Sequence, residues 1–187
     1  MSQMPQSKTS YLKDSERYLA RIVGIFARTI LIVFVIRFFI FEPTISDGTS
    51  MEPTLLDNEL LFTEKLSALI VPPRRYNVVN LIDPADHNRM LIKRVIGLPG
   101  ETVQIKGNRV VVSNPIDGSS LVLSEQYLRP DSVTLTQYGA SSTFVLPSHT
   151  YFVLGDNRTY SRDSRDFGPV HRSLITGRVI MPFDWLR

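Results

Sequence analysis

Hydrophobic positions follow two different rhythms along this chain, and the change falls at Pro43. Before it, Ile22-Val-Gly-Ile-Phe-Ala-Arg-Thr-Ile-Leu-Ile-Val-Phe-Val-Ile-Arg-Phe-Phe-Ile-Phe41 carries apolar residues on all faces of a helix, densest over Thr29–Ile36. At a rise of roughly 1.5 Å per residue the run spans about 30 Å, the thickness of a bilayer core. Arg28 and Arg37 interrupt it near its ends, from where long side chains can snorkel toward the interface. A core helix of a soluble protein would show a polar face, which Thr29–Ile36 lacks. The run is longer than the apolar region of a cleaved signal peptide and no small-x-small site follows it, so it reads as an uncleaved signal anchor.

After Pro43 the helical period gives way to short β-branched runs. Strands are predicted at Leu60–Thr63, Val78–Ile82, Met90–Ile96, Thr102–Ile105, Arg109–Ser113, Thr143–Leu146, Tyr151–Leu154 and Arg178–Met181. Turn residues separate them, among them Pro72-Pro73, Pro99-Gly100, Gly107-Asn108 and Gly155-Asp156-Asn157. The expected fold is mainly β: an antiparallel sandwich or partly open barrel behind one N-terminal transmembrane helix. The Ser/Thr/Gly-rich stretch Asp117–Ser142 is expected to be a surface insertion. The predicted organisation is a tail over residues 1–21, an anchor over 22–41 and an extracytoplasmic domain over 42–187.

Charge adds an orientation. Lys8, Lys13, Arg17 and Arg21 precede the anchor, whereas no Lys or Arg lies between Phe38 and Glu64. The positive-inside rule then places the N-terminus in the cytoplasm and the remainder outside, across a plasma or thylakoid membrane. The net charge of +3 is small and scattered, which argues against a nucleic-acid partner. There is no cysteine, so thiol nucleophiles, disulfides and thiolate metal sites are all excluded. The three histidines, His87, His149 and His171, form no metal-ligand motif, and neither a metal nor a cofactor is expected.

Three segments carry candidate chemistry. In Gly48-Thr-Ser-Met-Glu-Pro-Thr-Leu55, Ser50 precedes a Pro-containing turn that can expose its hydroxyl and free its N–H. Taken alone, such a run marks only a turn. In Met90-Leu-Ile-Lys-Arg-Val-Ile96, alternation puts Lys93 on one strand face with Leu91 and Val95. Apolar neighbours disfavour the ammonium form and lower a lysine pKa, leaving an amine able to accept a proton. The competing reading is a solvated lysine on an edge strand. In Gly155–Gly168, alternating Asp, Arg and Ser residues suit either a self-paired polar loop or a shell that orients a nearby base.

Together, Ser-Met-x-Pro-Thr-Leu (Ser50–Leu55), Lys-Arg-x-x-Gly-Leu-Pro-Gly (Lys93–Gly100) and Gly-Asp-Asn-Arg-x-x-Ser-x-Asp-Ser-Arg (Gly155–Arg165) resemble the type I signal peptidase family in content and order. The resemblance implies a serine endopeptidase with Ser50 as nucleophile and Lys93 as base. It implies that Ser161 hydrogen-bonds the lysine amine, and that Asp156, Asp163, Arg94 and Arg165 form supporting ion pairs. The implied substrates are preprotein signal peptides, cut after small residues in an A-x-A-like pattern at the outer face of a lipid membrane. Many members carry Ser or Thr where this chain has Gly48, so the oxyanion hole is expected to rest on backbone N–H groups such as that of Ser50. On that view Gly48→Ser would add a donor if the backbone permits a Cβ. The family's Arg-Gly-Asp reads Arg75-Tyr76-Asn77 here, and its Gly-Asp after Leu-Pro reads Gly100-Glu101. Met51, Leu55 and Ile92 are candidate walls of the substrate pocket.

The rivals are a soluble self-cleaving regulator, which the apolar run of residues 22–41 opposes, and an inactive peptide-binding relative, which the presence of both Ser50 and Lys93 opposes. A Ser-His-Asp hydrolase would need a histidine in a catalytic context, and none of the three has one.

Overall fold

The computed structural model describes residues 6–36, 40–66, 70–136 and 142–180. Residues 1–5 of the predicted tail, 37–39 of the predicted anchor (Arg37 among them), 137–141 of the predicted insertion, and Met181 lie outside the described residues. The chain divides into two compact units, Met1–Ile40 and Phe41–Arg187. The first contains helix α1, Gln6–Val35, which starts well before Ile22. Its 20-residue stretch Glu16–Val35 is long and apolar enough to cross a membrane. Phe26, Ile30, Leu31 and Phe34 are exposed along it. The Thr29 hydroxyl donates to the Ile25 carbonyl at 3.0 Å, which satisfies that polar group within the helix.

The second unit is antiparallel β. Its strands are β1 (Phe41–Ile45), β2 (Leu60–Glu64), β3 (Val78–Ile82), β4 (Met90–Gly97), β5 (Thr102–Lys106), β6 (Arg109–Ser113), β7 (Ser120–Val122), β8 (Thr143–Val145), β9 (Thr150–Leu154), β10 (Val170–His171) and β11 (Ile175–Ile180). A four-residue helix, α2 (Ser164–Phe167), follows β9. Among the described residues, seven strands form one sheet in the order β1-β2-β11-β3-β4-β9-β10, and four form a second in the order β7-β6-β5-β8. The hairpin β5–β6 turns at Gly107-Asn108, both at positive φ (53° and 67°), as a two-residue hairpin loop requires.

Three apolar clusters hold this unit together. Ile96, Val103, Val110, Val112, Phe152 and Leu154 join the smaller sheet to β4 and β9 of the larger. Val79, Leu81, Leu91, Val95, Tyr151 and Val153 fill one face of the larger sheet. Leu61, Val78 and Val179 on its other face receive Met51 and Leu55 from the β1–β2 connection.

The strands absent from the sequence reading are β1, β7 and β10. β1 contains Pro43 and sits at the sheet edge, the position that tolerates a residue without an N–H. β7 lies inside the stretch expected to be a surface insertion, which is exposed along most of its described length but is anchored at a few positions. Thr134 from the same stretch is buried, and Glu125 and Tyr127 are bonded to Arg158.

The departure at Arg75-Tyr76-Asn77 has a structural account. Tyr76 stands at φ 71°, a left-handed conformation that suits glycine, and its ring packs edge-on against Tyr127 with centroids 6.0 Å apart. The Asn77 side chain accepts from the Arg74 N–H at 2.9 Å. Arg75, which keeps the family pattern, forms a two-pronged pair with the departing Glu101, at 2.5 and 3.0 Å.

Candidate active site

The turn that carries Ser50 is fastened at both ends. On one side the Gly48 N–H donates to Asp57 Oδ1 at 2.7 Å. On the other, Leu55 N–H donates to the Met51 carbonyl at 3.0 Å while both side chains are buried. Asn157 clamps the middle: its backbone N–H donates to the Ser50 carbonyl at 3.0 Å and its Nδ2 to the Thr49 carbonyl at 3.1 Å. Among the described residues nothing accepts from the Ser50 N–H.

Lys93 comes from β4, where it pairs across with Val79. Strand alternation sets it on the face of Val79, Leu91 and Val95, three buried members of one apolar cluster. Only 2% of the residue is exposed. Its Nζ donates to Ser50 Oγ at 2.7 Å and to the Ile92 carbonyl at 3.0 Å. Burial is the dominant influence on its pKa and lowers it from 10.5 to about 8. The negative charge of Asp163 opposes the shift, and the positive charge of Arg89 reinforces it.

Around this pair the ion pairs expected from the motifs are assembled. Arg94 Nε and Nη2 meet the two oxygens of Asp156 at 2.9 and 2.6 Å, and Nη2 reaches Thr54 Oγ1 at 3.2 Å. The guanidinium lies 4.0 Å above the Tyr127 ring. Arg165 holds Asp163 through Nε and Nη2 at 2.8 and 2.9 Å, and Asp163 also accepts from the Gly155 N–H at 3.0 Å and caps α2. Arg158 pairs with Glu125. Buried pairs of this kind fix geometry more than they stabilise, because desolvation offsets much of their attraction. Asn157, Asp57, Glu125 and Gly155 were not singled out from the sequence. Asn157 and Gly155 lie within the quoted Gly-Asp-Asn-Arg run, whereas Asp57 and Glu125 have no local signal.

Three expectations change. Ser161 Oγ is buried and makes no hydrogen bond among the described residues, and Lys93 bonds Ser50 Oγ and the Ile92 carbonyl without it. Ser161 packs against Gly155, at the place a Cβ on that glycine would occupy. Leu55 is fully buried beside Leu61 and Val179, a core residue and not a pocket wall. Gly48 stands at φ 87°, with its N–H committed to Asp57. A side chain there has space but a strained backbone, at a cost of about 1 kcal/mol. Gly48→Ser is therefore expected to lower Tm by several degrees and to reduce turnover. A gain in turnover at unchanged Tm would show that the serine hydroxyl reaches the oxyanion.

The pair opens on a cleft of about 550 Å³. Thr44–Met51 form one wall and Asp86–Lys93, without His87, much of the other, with Asn80, Tyr160 and Arg162 between them. Met51 and Ile92 are among its lining residues. β1 pairs only with β2, and β9 pairs with β4 only from Arg94 onward, so both walls present strand edges to the cleft. His87, His149 and His171 are exposed and none lines it.

Comparison with known proteins gives concordant matches. The family model described as signal peptidase, peptidase S26, matches residues 19–185. A signal peptidase I of Bacillus licheniformis is 36% identical over 162 residues, covering 84% of this chain and 86% of that protein. One from Leptolyngbya laminosa is 38% identical over 158 residues, covering 79% and 71%. The crystal structure of a signal peptidase I from Enterococcus faecalis is 30% identical, covers 59% of this chain and 99% of that one, and aligns with a TM-score of 0.47.

Proposed function

The chain belongs to the signal peptidase family, peptidase S26, a family of serine hydrolases, and from that premise we propose that it is a membrane-anchored endopeptidase in which Ser50 and Lys93 cleave exported preproteins after small residues. The observation that carries the mechanism is the 2.7 Å contact between Ser50 Oγ and a lysine that is 2% exposed. A neutral Lys93 amine takes the Ser50 proton as Oγ attacks the scissile carbonyl carbon. The oxyanion that forms is met by the Ser50 N–H. The Lys93 ammonium then protonates the departing amine as the peptide C–N bond breaks, leaving an acyl-enzyme ester on Ser50. Water attacks that ester with Lys93 again as base, which frees the signal peptide and restores the hydroxyl. The Arg94–Asp156 and Arg165–Asp163 pairs hold the elements that position the two reacting groups.

The strand edges on either wall suit an extended peptide, which would bind by backbone hydrogen bonds with alternate side chains facing Met51 and Ile92. The exposed apolar surface of Glu16–Val35 supports membrane anchoring, and the flanking charges support a cytoplasmic N-terminus. Anchoring confines the enzyme and its substrates to one plane, which raises their effective concentration.

One comparison tests the reading and the anchor together. The full chain and a chain beginning at Ile40 are each given a soluble peptide that spans an Ala-x-Ala junction, and a preprotein embedded in vesicles. Both are expected to cut the peptide after the second alanine at similar rates, since β1 and the rest of the second unit remain. The shortened chain is expected to be at least about tenfold slower on the embedded preprotein. Equal rates on the embedded preprotein would remove the anchoring role. No cut at the Ala-x-Ala junction by either chain would remove the peptidase reading.

A further inference from the structure

Of the polar residues that line the cleft and that the proposed chemistry leaves unused, Asn80 has a buried acceptor without a partner among the described residues. Asn80, on β3, is 4% exposed and lines the cleft. Its Nδ2 donates to Thr63 Oγ1 at 3.0 Å, and Thr63 Oγ1 shares a 2.9 Å hydrogen bond with Thr44 Oγ1 on β1. This chain across three strands commits the amide nitrogen and orients the group. Asn80 Oδ1 is buried and accepts no hydrogen bond among the described residues. A buried acceptor left without a donor is costly.

Asn80 pairs directly with Ile92, so the two side chains share a sheet face, with Cβ atoms about 5 Å apart. Ile92 adjoins Lys93 and, with Met51, walls the cleft next to the nucleophile, while Asn80 lies one strand further from it. In an extended peptide the residue before the scissile bond (P1) and the one two positions earlier (P3) point the same way, roughly 7 Å apart. With the P1 side chain against Met51 and Ile92, the P3 side chain also turns into the cleft, whose lining farther from the nucleophile includes Asn80.

Resting on the Ser50–Lys93 reading, we propose that Asn80 is a specificity-determining residue whose Oδ1 accepts a hydrogen bond from a hydroxyl-bearing P3 side chain, so that this enzyme favours threonine or serine at P3 over an aliphatic residue of equal size. Threonine and valine are the discriminating pair, since they differ only by hydroxyl against methyl. The valine substrate forgoes the hydrogen bond and leaves the acceptor without a donor.

The test uses the full chain in detergent and peptides with alanine at P1 and threonine, valine or alanine at P3. For the wild-type chain kcat/KM is expected to be about five- to tenfold higher with threonine than with valine. In Asn80→Val that ratio is expected to fall to one or below, and in Asn80→Asp, which keeps an acceptor, to stay above one. A wild-type ratio at or below one overturns the proposal without any variant, which covers the case in which Asn80→Val does not fold. The same threonine-to-valine ratio in wild type and Asn80→Val would reduce Asn80 to a packing role and also overturn it. Loss of cleavage of every peptide, the alanine one included, would instead strike the Ser50–Lys93 reading, and this assignment with it.

Discussion

Lys93→Arg is expected to abolish cleavage while the protein still folds. Arginine keeps the charge and the reach of lysine, but its guanidinium does not deprotonate in proteins and cannot act as the base. Loss of a general base costs roughly 10²–10⁴ in rate, and removal of the nucleophile in Ser50→Ala is expected to cost at least as much. With the Lys93 pKa lowered to about 8 by burial, the reactive neutral amine is the minority form below that pH and the major form above it. The rate constant kcat/KM of the wild type should therefore rise through an apparent pKa near 8 and level off above it. A structural lysine predicts the opposite on both counts, with arginine tolerated and the profile flat. Substantial cleavage by Lys93→Arg would sink the mechanism.

The same burial makes a stability prediction that needs no substrate. Between about 8 and 10.5 the unfolded chain holds a proton on Lys93 that the folded chain has released, so stability from this group rises with pH across that window. Below it, the folded protein carries the full penalty of a desolvated ammonium. Lys93→Met removes the charge and keeps much of the volume. Its Tm is expected to equal or exceed that of the wild type at pH 7, with the difference shrinking as the pH approaches 10.5. An inactive Lys93→Met of raised Tm would separate the chemical role of this residue from any structural one.

The second large effect is expected from a single methyl group. A Cβ on Gly155 would overlap the Ser161 side chain and crowd the Ser50 carbonyl oxygen, neither of which is the loose end of a flexible chain. Something must give, and the Ser50 carbonyl is held by the N–H of Asn157, two residues on from Gly155. Displacement by a few tenths of an ångström lengthens the contact between Ser50 and Lys93, and misplacement of about 1 Å can cost a hundredfold. Gly155→Ala is expected to lose at least about a hundredfold in kcat, with KM little changed and Tm lowered by several degrees. Gly155→Ala combined with Ser161→Gly removes the side-chain overlap and is expected to recover part of both losses. Wild-type kcat in the single variant would mean that the close approach at Gly155 is unimportant for placing Ser50.

Much of this molecule is readable from local pattern. Alternating β-branched residues bounded by Pro, Gly and Asn locate eight of the strands, because side-chain direction and turn preference are properties of neighbouring residues. The apolar stretch inside α1 is legible because its length alone meets the membrane criterion. Ser50, Lys93 and the Asp/Arg shell are legible as motifs, since residue types at fixed spacing survive in the sequence whatever the packing. Other features depend on groups far apart in the chain meeting in space. Ser50 and Lys93 lie 43 positions apart, and the pairing of β4 with β3 and the seating of Met51 and Leu55 bring them within 2.7 Å. Desolvation of Lys93 depends on what covers its sheet face, which no window of sequence contains. The short strands β1, β7 and β10 have too few residues to show a period and exist because a partner strand is present. Whether a polar side chain finds its hydrogen bond is likewise a tertiary outcome. Gly48 spends its N–H on Asp57, and Ser161 Oγ and Asn80 Oδ1 are buried without a hydrogen bond among the described residues, because each is placed by contacts from other strands and loops.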